Sequence, residues 1–193
     1  MLGSQRNAAP SSPADVQLTH LAAGGRVTHP TARRPIADGV LPAPLARPHF
    51  PLRYDDFDPI PDSPYGHLIH ATARRFDLNP ELVRAIVLCE SSFDPDAISV
   101  QGARGLLQLM PETAQRFGVA PEDLADPERN LEAGVRYLSW LTRRFDGDLD
   151  SVLAAFNSGE GTVDRFQGVP PYRETRTYLT RVYRELGLDR PVT

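Results

Sequence analysis

The sequence predicts an all-α domain preceded by a disordered, Pro-rich N-terminal segment. Three observations carry that prediction. Eleven of the 19 prolines fall in residues 1–64. From about Pro64 onward, apolar residues recur at helical intervals. No alternating apolar–polar run of strand length is present. With 193 residues, 40% hydrophobic and 24% charged, the chain suits one globular domain with an extension. Residues 1–60 read as leader or linker, and residues 61–190 as the folded domain.

Each element follows from a local signal. "YGHLIHATARRF" sets Leu68, Ile69 and Phe76 on one helix face. "NPELVRAIVLCE" starts with Asn79 as N-cap and Pro80 at the first helical position. Its Leu82, Val83, Ile86, Val87 and Cys89 fill a buried face. An irregular loop is predicted over 91–104. "DPERNLEAGVRYLSWLTRRF" opens at Asp126-Pro127, carries Leu131, Val135, Leu138 and Leu141 at helical spacing, and stops at Gly147. "LDSVLAAF", residues 149–156, is a short, nearly all-apolar helix suited to the centre of the domain. "RETRTYLTRVYREL", 173–186, is the last helix.

Composition removes several function classes. The formal net charge is −4, and all 21 basic residues are arginine. Residues 1–60 carry six Arg against five acids, and residues 61–193 carry fifteen against twenty. No basic stripe marks the folded part, which argues against nucleic acid as a partner. Cys89 is the only cysteine, so no intrachain disulfide forms and a Cys-based metal site is not indicated. It reads as a small buried helix residue. His67 and His70 sit three apart without a third ligand nearby, and read as surface or packed histidines. "DDFD" at 55–58 lacks the glycine and spaced ligands of a calcium loop. No run of 18 apolar residues exists to cross a membrane as a helix. The first 25 residues lack the basic start and apolar core of a secretory signal.

Glu90 is the residue that composition does not explain. On a helix ending near Ser91 it stacks over Ile86 and Val87, and one turn further back over Val83. Desolvation there disfavours the carboxylate, and the negative helix C-terminus disfavours it again. Both push its pKa above the usual value of about 4.3. A carboxyl protonated near neutral pH is what a glycosidase general acid requires; lysozyme is the standard example.

Three blocks in order give that glutamate a context. They are Glu90-Ser91 followed by "SVQGARGLLQLMP" (99–111), then "AAFNSGEG" (154–161), then "PYRETRTYLTRV" (171–182). Together they resemble the lytic transglycosylase SLT domain, in the goose-type branch of the lysozyme-like superfamily. The resemblance covers about residues 62–190 and implies a lysozyme-like helical fold with an irregular active-site loop. It implies that Glu90 is the single catalytic acid/base. It further implies that Ser99, Gln108, Met110, Phe156, Asn157 and Tyr178 bind substrate, with Tyr178 close to the acid and Glu174 fixing its helix. Phe156 stands where the family commonly has tyrosine, and Ser158 and Glu160 replace the usual alanine and proline. Glu160, flanked by glycines, reads as a loop residue rather than a second catalytic carboxylate.

The activity so implied is cleavage of the β-1,4 bond between N-acetylmuramic acid and N-acetylglucosamine in peptidoglycan, closing a 1,6-anhydro ring. No metal or organic cofactor is needed. The alternatives are a muramidase that uses water, or a wall-binding module of a secretion, conjugation or phage system. Glycan strands are the implied partner, and the periplasm or cell envelope is the implied location.

Overall fold

The computed structural model describes residues 51–54 and 63–188. The disorder expected for 1–60 therefore falls, apart from Pro51–Tyr54, outside the described residues, as does the acidic 55–58 stretch. Among the described residues seven α-helices follow one another: α1 Gly66–Arg75, α2 Pro80–Ser91, α3 Pro111–Arg116, α4 Pro127–Arg144, α5 Leu149–Ser158, α6 Glu160–Phe166 and α7 Arg173–Glu185. A 3₁₀ turn, Pro121–Ala125, links α3 to α4. Among the described residues the only β pairing is two isolated bridges, Ile98 with Arg104 and Arg104 with Leu109.

The helix starts obey capping chemistry. Asn79 accepts from the Glu81 amide at 2.8 Å, with Pro80 at the first position, where a missing N–H costs nothing. Asp126 accepts from the amides of Glu128 and Arg129 at 2.8 and 3.0 Å. Asp148 accepts from the Ser151 hydroxyl at 2.6 Å.

Two helices form the centre. On α2, Leu82, Val83, Ala85, Ile86 and Val87 are fully buried, and so are Val152 to Ala155 on α5. Helix α2 packs on α1 and α7, and α5 packs on α4, α6 and α7. Each large aliphatic side chain buried this way contributes about 1.5–3 kcal/mol. Helix α7 touches both central helices, and its buried face carries Thr175, Tyr178, Leu179, Val182 and Tyr183.

Three expectations need correction. The domain does not begin at 61. Leu52 is buried in the core, its carbonyl accepts from the Asn79 amide at 2.8 Å, and Pro51 accepts from the Asn79 side chain at 2.8 Å. Arg53 pairs with Asp77, and Tyr54 packs edge-on against His70 at 5.6 Å. The irregular segment is Ser92–Met110 rather than 91–104, because α2 keeps Ser91 and the apolar "GLLQL" run forms neither helix nor strand. Glu160 is not in a loop. Gly159, at φ +84°, ends α5, and Glu160 is the first residue of α6, where a carboxylate suits the positive end of the helix.

Candidate active site

Helix α2 delivers Glu90 in its last turn, on the same side as Ile86 and Val87. The residue is 3% exposed. The helix then breaks sharply, with Ser92 and Phe93 both at positive φ. Ser91 donates its hydroxyl to the Leu106 carbonyl at 2.9 Å, which ties this break to the segment that follows.

Tyr178, in the middle of α7, is also buried and lies beside the Glu90 carboxyl. The phenol is close enough to interact with the acid but outside the geometry of a fully formed hydrogen bond. One turn on, Arg181 donates to the Cys89 carbonyl at 2.8 Å and brings a positive charge to the same place. Burial pushes the Glu90 carboxyl up to about 8, and the Tyr178 hydroxyl and Arg181 charge only partly oppose it. Roughly nine in ten such carboxyls hold their proton at pH 7. Burial also raises the Tyr178 phenol well above its ordinary range, with the neighbouring Glu90 adding to the effect. The Cys89 thiol is pushed up to about 11, chiefly by burial, which leaves it protonated and inert.

The segment Ser92–Met110 is braced in part by its own polar groups. The Ser99 hydroxyl accepts from the Ala103 amide at 2.9 Å, and the Ser99 amide donates to the Ala103 carbonyl at 2.9 Å. Gln108, at φ +43°, donates from Nε2 to the carbonyls of Ala97 and Gly105, both at 2.9 Å. Its nitrogen thus braces the loop, while Oε1 is buried without a protein partner. Met110 is half-buried and immediately precedes α3.

The remaining sequence-predicted residues sit at the end of α5. Phe156 is 9% exposed and stacks on Tyr137, ring centres 5.6 Å apart, so its ring belongs mainly to the core. Asn157, the next residue, is half-buried. The structure therefore brings Glu90 and Tyr178 together, and places Ser99 and Gln108 in one braced loop. Phe156 and Asn157 stand on the closing turn of α5.

Sequence reasoning missed Asn130, Arg181 and Arg116, and read Gly105 only as a turn glycine. Asn130, on α4, is fully buried. Its Oδ1 accepts from the Leu107 amide at 2.8 Å, and its Nδ2 donates to the carbonyls of Arg104 and Leu124 at 2.9 Å each. The available signal was an asparagine on the apolar face that continues through Gly134 and Tyr137. Gly105 has to be glycine, since a Cβ there would meet Asn130 Nδ2 and the Leu124 carbonyl at 2.3 Å. Arg181 shares the Tyr178 face of α7 at a spacing of three. Arg116 pairs with Glu160 at 2.6 Å across 44 residues, a contact with no local sign.

A cavity of about 1050 Å³ lies elsewhere, between Leu52, Phe76, Leu78, Phe145 and Asp148, at the opposite end of α2 from Glu90. Among the described residues no group of His, Cys, Asp and Glu is arranged to hold a metal ion, and no helix is long and apolar enough to cross a membrane.

The chain is similar to known lytic transglycosylases in sequence and in fold. The membrane-bound lytic murein transglycosylase C of Haemophilus influenzae (strain PittEE) is 35% identical over 147 residues, covering 66% of this chain and 41% of that protein. The membrane-bound lytic murein transglycosylase F of Desulfosudis oleivorans is 40% identical over 102 residues, covering 50% of this chain and 22% of that protein. The chain thus spans about two fifths, or less, of these relatives. Among solved structures, the 70 kDa soluble lytic transglycosylase SLT70 of Escherichia coli superposes with a TM-score of 0.59 at 28% identity, over 63% of this chain and 23% of that one. An inactive glutamate-to-glutamine mutant of the lytic transglycosylase Slt from Pseudomonas aeruginosa superposes at 0.55, with 29% identity over 67% of this chain and 26% of its own. Residues 67–179, more than half of the chain, match the model of the transglycosylase SLT domain, and the chain belongs to that family.

Proposed function

We propose that this chain is a peptidoglycan lytic transglycosylase with Glu90 as its one acid/base. The observation that carries the reading is the buried Glu90 carboxyl, raised to about 8, with Tyr178 beside it, in a chain of this family. Protonated Glu90 donates to the oxygen linking N-acetylmuramic acid to N-acetylglucosamine, and the C1–O bond breaks. The substrate's own N-acetyl oxygen shields the positive C1. The C6 hydroxyl then attacks C1, and its proton passes to the Glu90 carboxylate. The acid is restored, a 1,6-anhydro ring is closed, and no water is consumed.

Support comes from three directions. Relatives at 34–35% identity are named lytic murein transglycosylases. Slt from Pseudomonas aeruginosa is inactivated by a glutamate-to-glutamine change. Glu160, the carboxylate of the second block, has both oxygens engaged by Arg116 and Tyr137, which argues against its serving as a second acid/base. In this reading Ser99, the Gln108 carbonyl, Met110 and Asn157 contact the sugars, Tyr178 orients the acid, and Phe156 backs the wall from the core. Acting on peptidoglycan places the protein in the cell envelope. Docking to a secretion or conjugation apparatus through residues 1–60 belongs to the same proposal.

Digestion of purified sacculi followed by mass spectrometry tests it. The expected muropeptides end in anhydro sugars, one water lighter than hydrolysed ends. Glu90→Gln should lower their yield by at least about a thousandfold, since the general acid and base are lost together. Products carrying the extra water would identify a muramidase instead.

A further inference from the structure

Arg116 ends α3, the helix that starts directly after Met110. Glu160 begins α6, two residues after the end of the α5 turn that carries Asn157. Between them Arg116 Nη1 reaches Glu160 Oε1 at 2.6 Å. The other carboxylate oxygen accepts from the Tyr137 hydroxyl at 2.9 Å, and that hydroxyl also lies 3.3 Å from the Ala155 carbonyl. Exposed ion pairs commonly contribute little, because two long side chains must be ordered. This one is ordered already. The Arg116 guanidinium lies over Trp140 at 4.8 Å, Phe117 at 4.9 Å and Tyr137 at 5.6 Å, and the Glu160 side chain is only 22% exposed.

We propose that Glu160 and Arg116 are positioning residues for glycan binding: their ion pair spans from the Gln108–Met110 side of the substrate path to the Phe156–Asn157 side and fixes the distance between them. The inference rests on the preceding functional reading. Neither residue touches the reacting atoms. Glu160 acts through the turn before it, where the Tyr137 that donates to it stacks on Phe156. Arg116 acts through α3, whose first turn follows Met110. A glycan strand lying between these segments would meet walls held at one spacing, and loosening the pair would weaken its binding before it slowed the chemistry.

The test uses the full chain in two backgrounds. In the active enzyme, kcat and KM are measured on solubilised glycan strands for Glu160→Ala, Arg116→Ala and the double variant. In a Glu90→Gln background, binding of chitopentaose is measured by calorimetry. Each single change should raise KM and Kd by about tenfold with kcat within about threefold, and the double variant should be no worse than either single, as for one shared interaction. Glu160→Gln, which keeps shape and some hydrogen bonding, should fall between wild type and Glu160→Ala. Thermal midpoints of the variants separate loss of folded protein from loss of affinity. The proposal is overturned if the double variant multiplies to about a hundredfold. It is also overturned if kcat falls while KM holds, or if Glu160→Ala behaves as wild type. Inactive wild-type enzyme with no chitopentaose binding overturns the functional reading along with it, whereas an active wild type with indifferent variants overturns the positioning role alone.

Discussion

Two glutamates in this domain show how the same carboxyl is turned to opposite uses. Glu90 ends a helix among apolar side chains, and burial raises it to about 8. Burial also acts upward on Glu160 and is its largest single influence. Its own backbone amide, the Arg116 guanidinium and the Tyr137 hydroxyl nevertheless hold it below the ordinary value. Desolvation alone does not make an acid; desolvation with too few compensating donors does. Around Glu90 the Tyr178 phenol and the Arg181 charge favour the carboxylate, and burial outweighs them. Around Glu160, and throughout the braced loop, most polar groups face a close partner. The first region stores a proton, and the second holds a shape.

The largest effect that would break this contrast concerns stability. Unfolded Glu90 ionises near 4.5, and folded Glu90 near 8. Between those values the unfolded chain has released the proton that the folded chain still holds, so rising pH favours unfolding. The loss accumulates from about pH 4.5 to 8 and is complete above, at up to about 1.4 kcal/mol per pH unit. Glutamine at this position has no such loss. Glu90→Gln should therefore melt higher than wild type at pH 8, by roughly 5 °C or more, and the two should converge near pH 4. Calorimetric scans at several pH values read this directly. A mutant no more stable than wild type at pH 8 would show that the acid is less desolvated than its surroundings imply. Glu160→Gln, across the same range, should show the opposite sign or nothing.

The legibility of the sequence follows the same division. Helices with a cap and a periodic apolar face, such as α2 from Asn79 and α4 from Asp126, were readable because capping and burial are local matters. Glu90 was readable for the same reason: its helix position announced both its burial and its place at a terminus. The loop was readable only as a gap. What fixes Leu107 is Asn130, 23 residues downstream, and such partners are set by packing. The short helices α3 and α6 gave too few turns to show a period. Glu160 was misread as a loop residue because Gly159 and Gly161 look like a turn, whereas Gly159 serves to restart a helix. Pro51–Tyr54 lay in a Pro-rich stretch with no pattern of its own. They are ordered by what they touch, Asn79, Asp77 and His70.

The next effect in size sharpens the second half of the contrast. Asn130→Ala removes three hydrogen bonds and leaves the Leu107 amide and the Leu124 carbonyl without that partner in a dry setting, while the Arg104 carbonyl keeps the Leu109 amide. Orphaned buried groups cost about 1–3 kcal/mol each where water cannot reach them, and relaxation recovers part of that. A net loss of about 2–4 kcal/mol in urea unfolding is expected, with activity falling through disorder of the Ser99–Gln108 segment. A loss under about 0.5 kcal/mol would mean that the loop holds itself. Its spacing would then depend on Ser99 and Gln108 alone.

The smallest effect is the most diagnostic of how Glu90 is tuned. The Tyr178 hydroxyl lowers the Glu90 pKa, because a donor near a carboxylate favours the charged form. Tyr178→Phe removes that donor and leaves the ring that keeps water out. The Glu90 pKa should then rise further. The alkaline limb of kcat/KM, where the acid loses its proton, should move up by as much as about one pH unit. At pH 7 most of the enzyme already holds the proton, so a higher pKa alone would scarcely change the rate. Any fall in the plateau, expected at about tenfold, therefore reports lost orientation of the acid, separately from its titration. Arg181→Gln should move the limb in the same direction, since the arginine charge also favours the carboxylate. If Tyr178→Phe moved the limb down instead, the phenol would be accepting the acid's proton rather than donating its own. Tyr178 would then hold Glu90 ready to give up its proton, and the dry pocket would share with this hydroxyl the work of keeping the acid neutral.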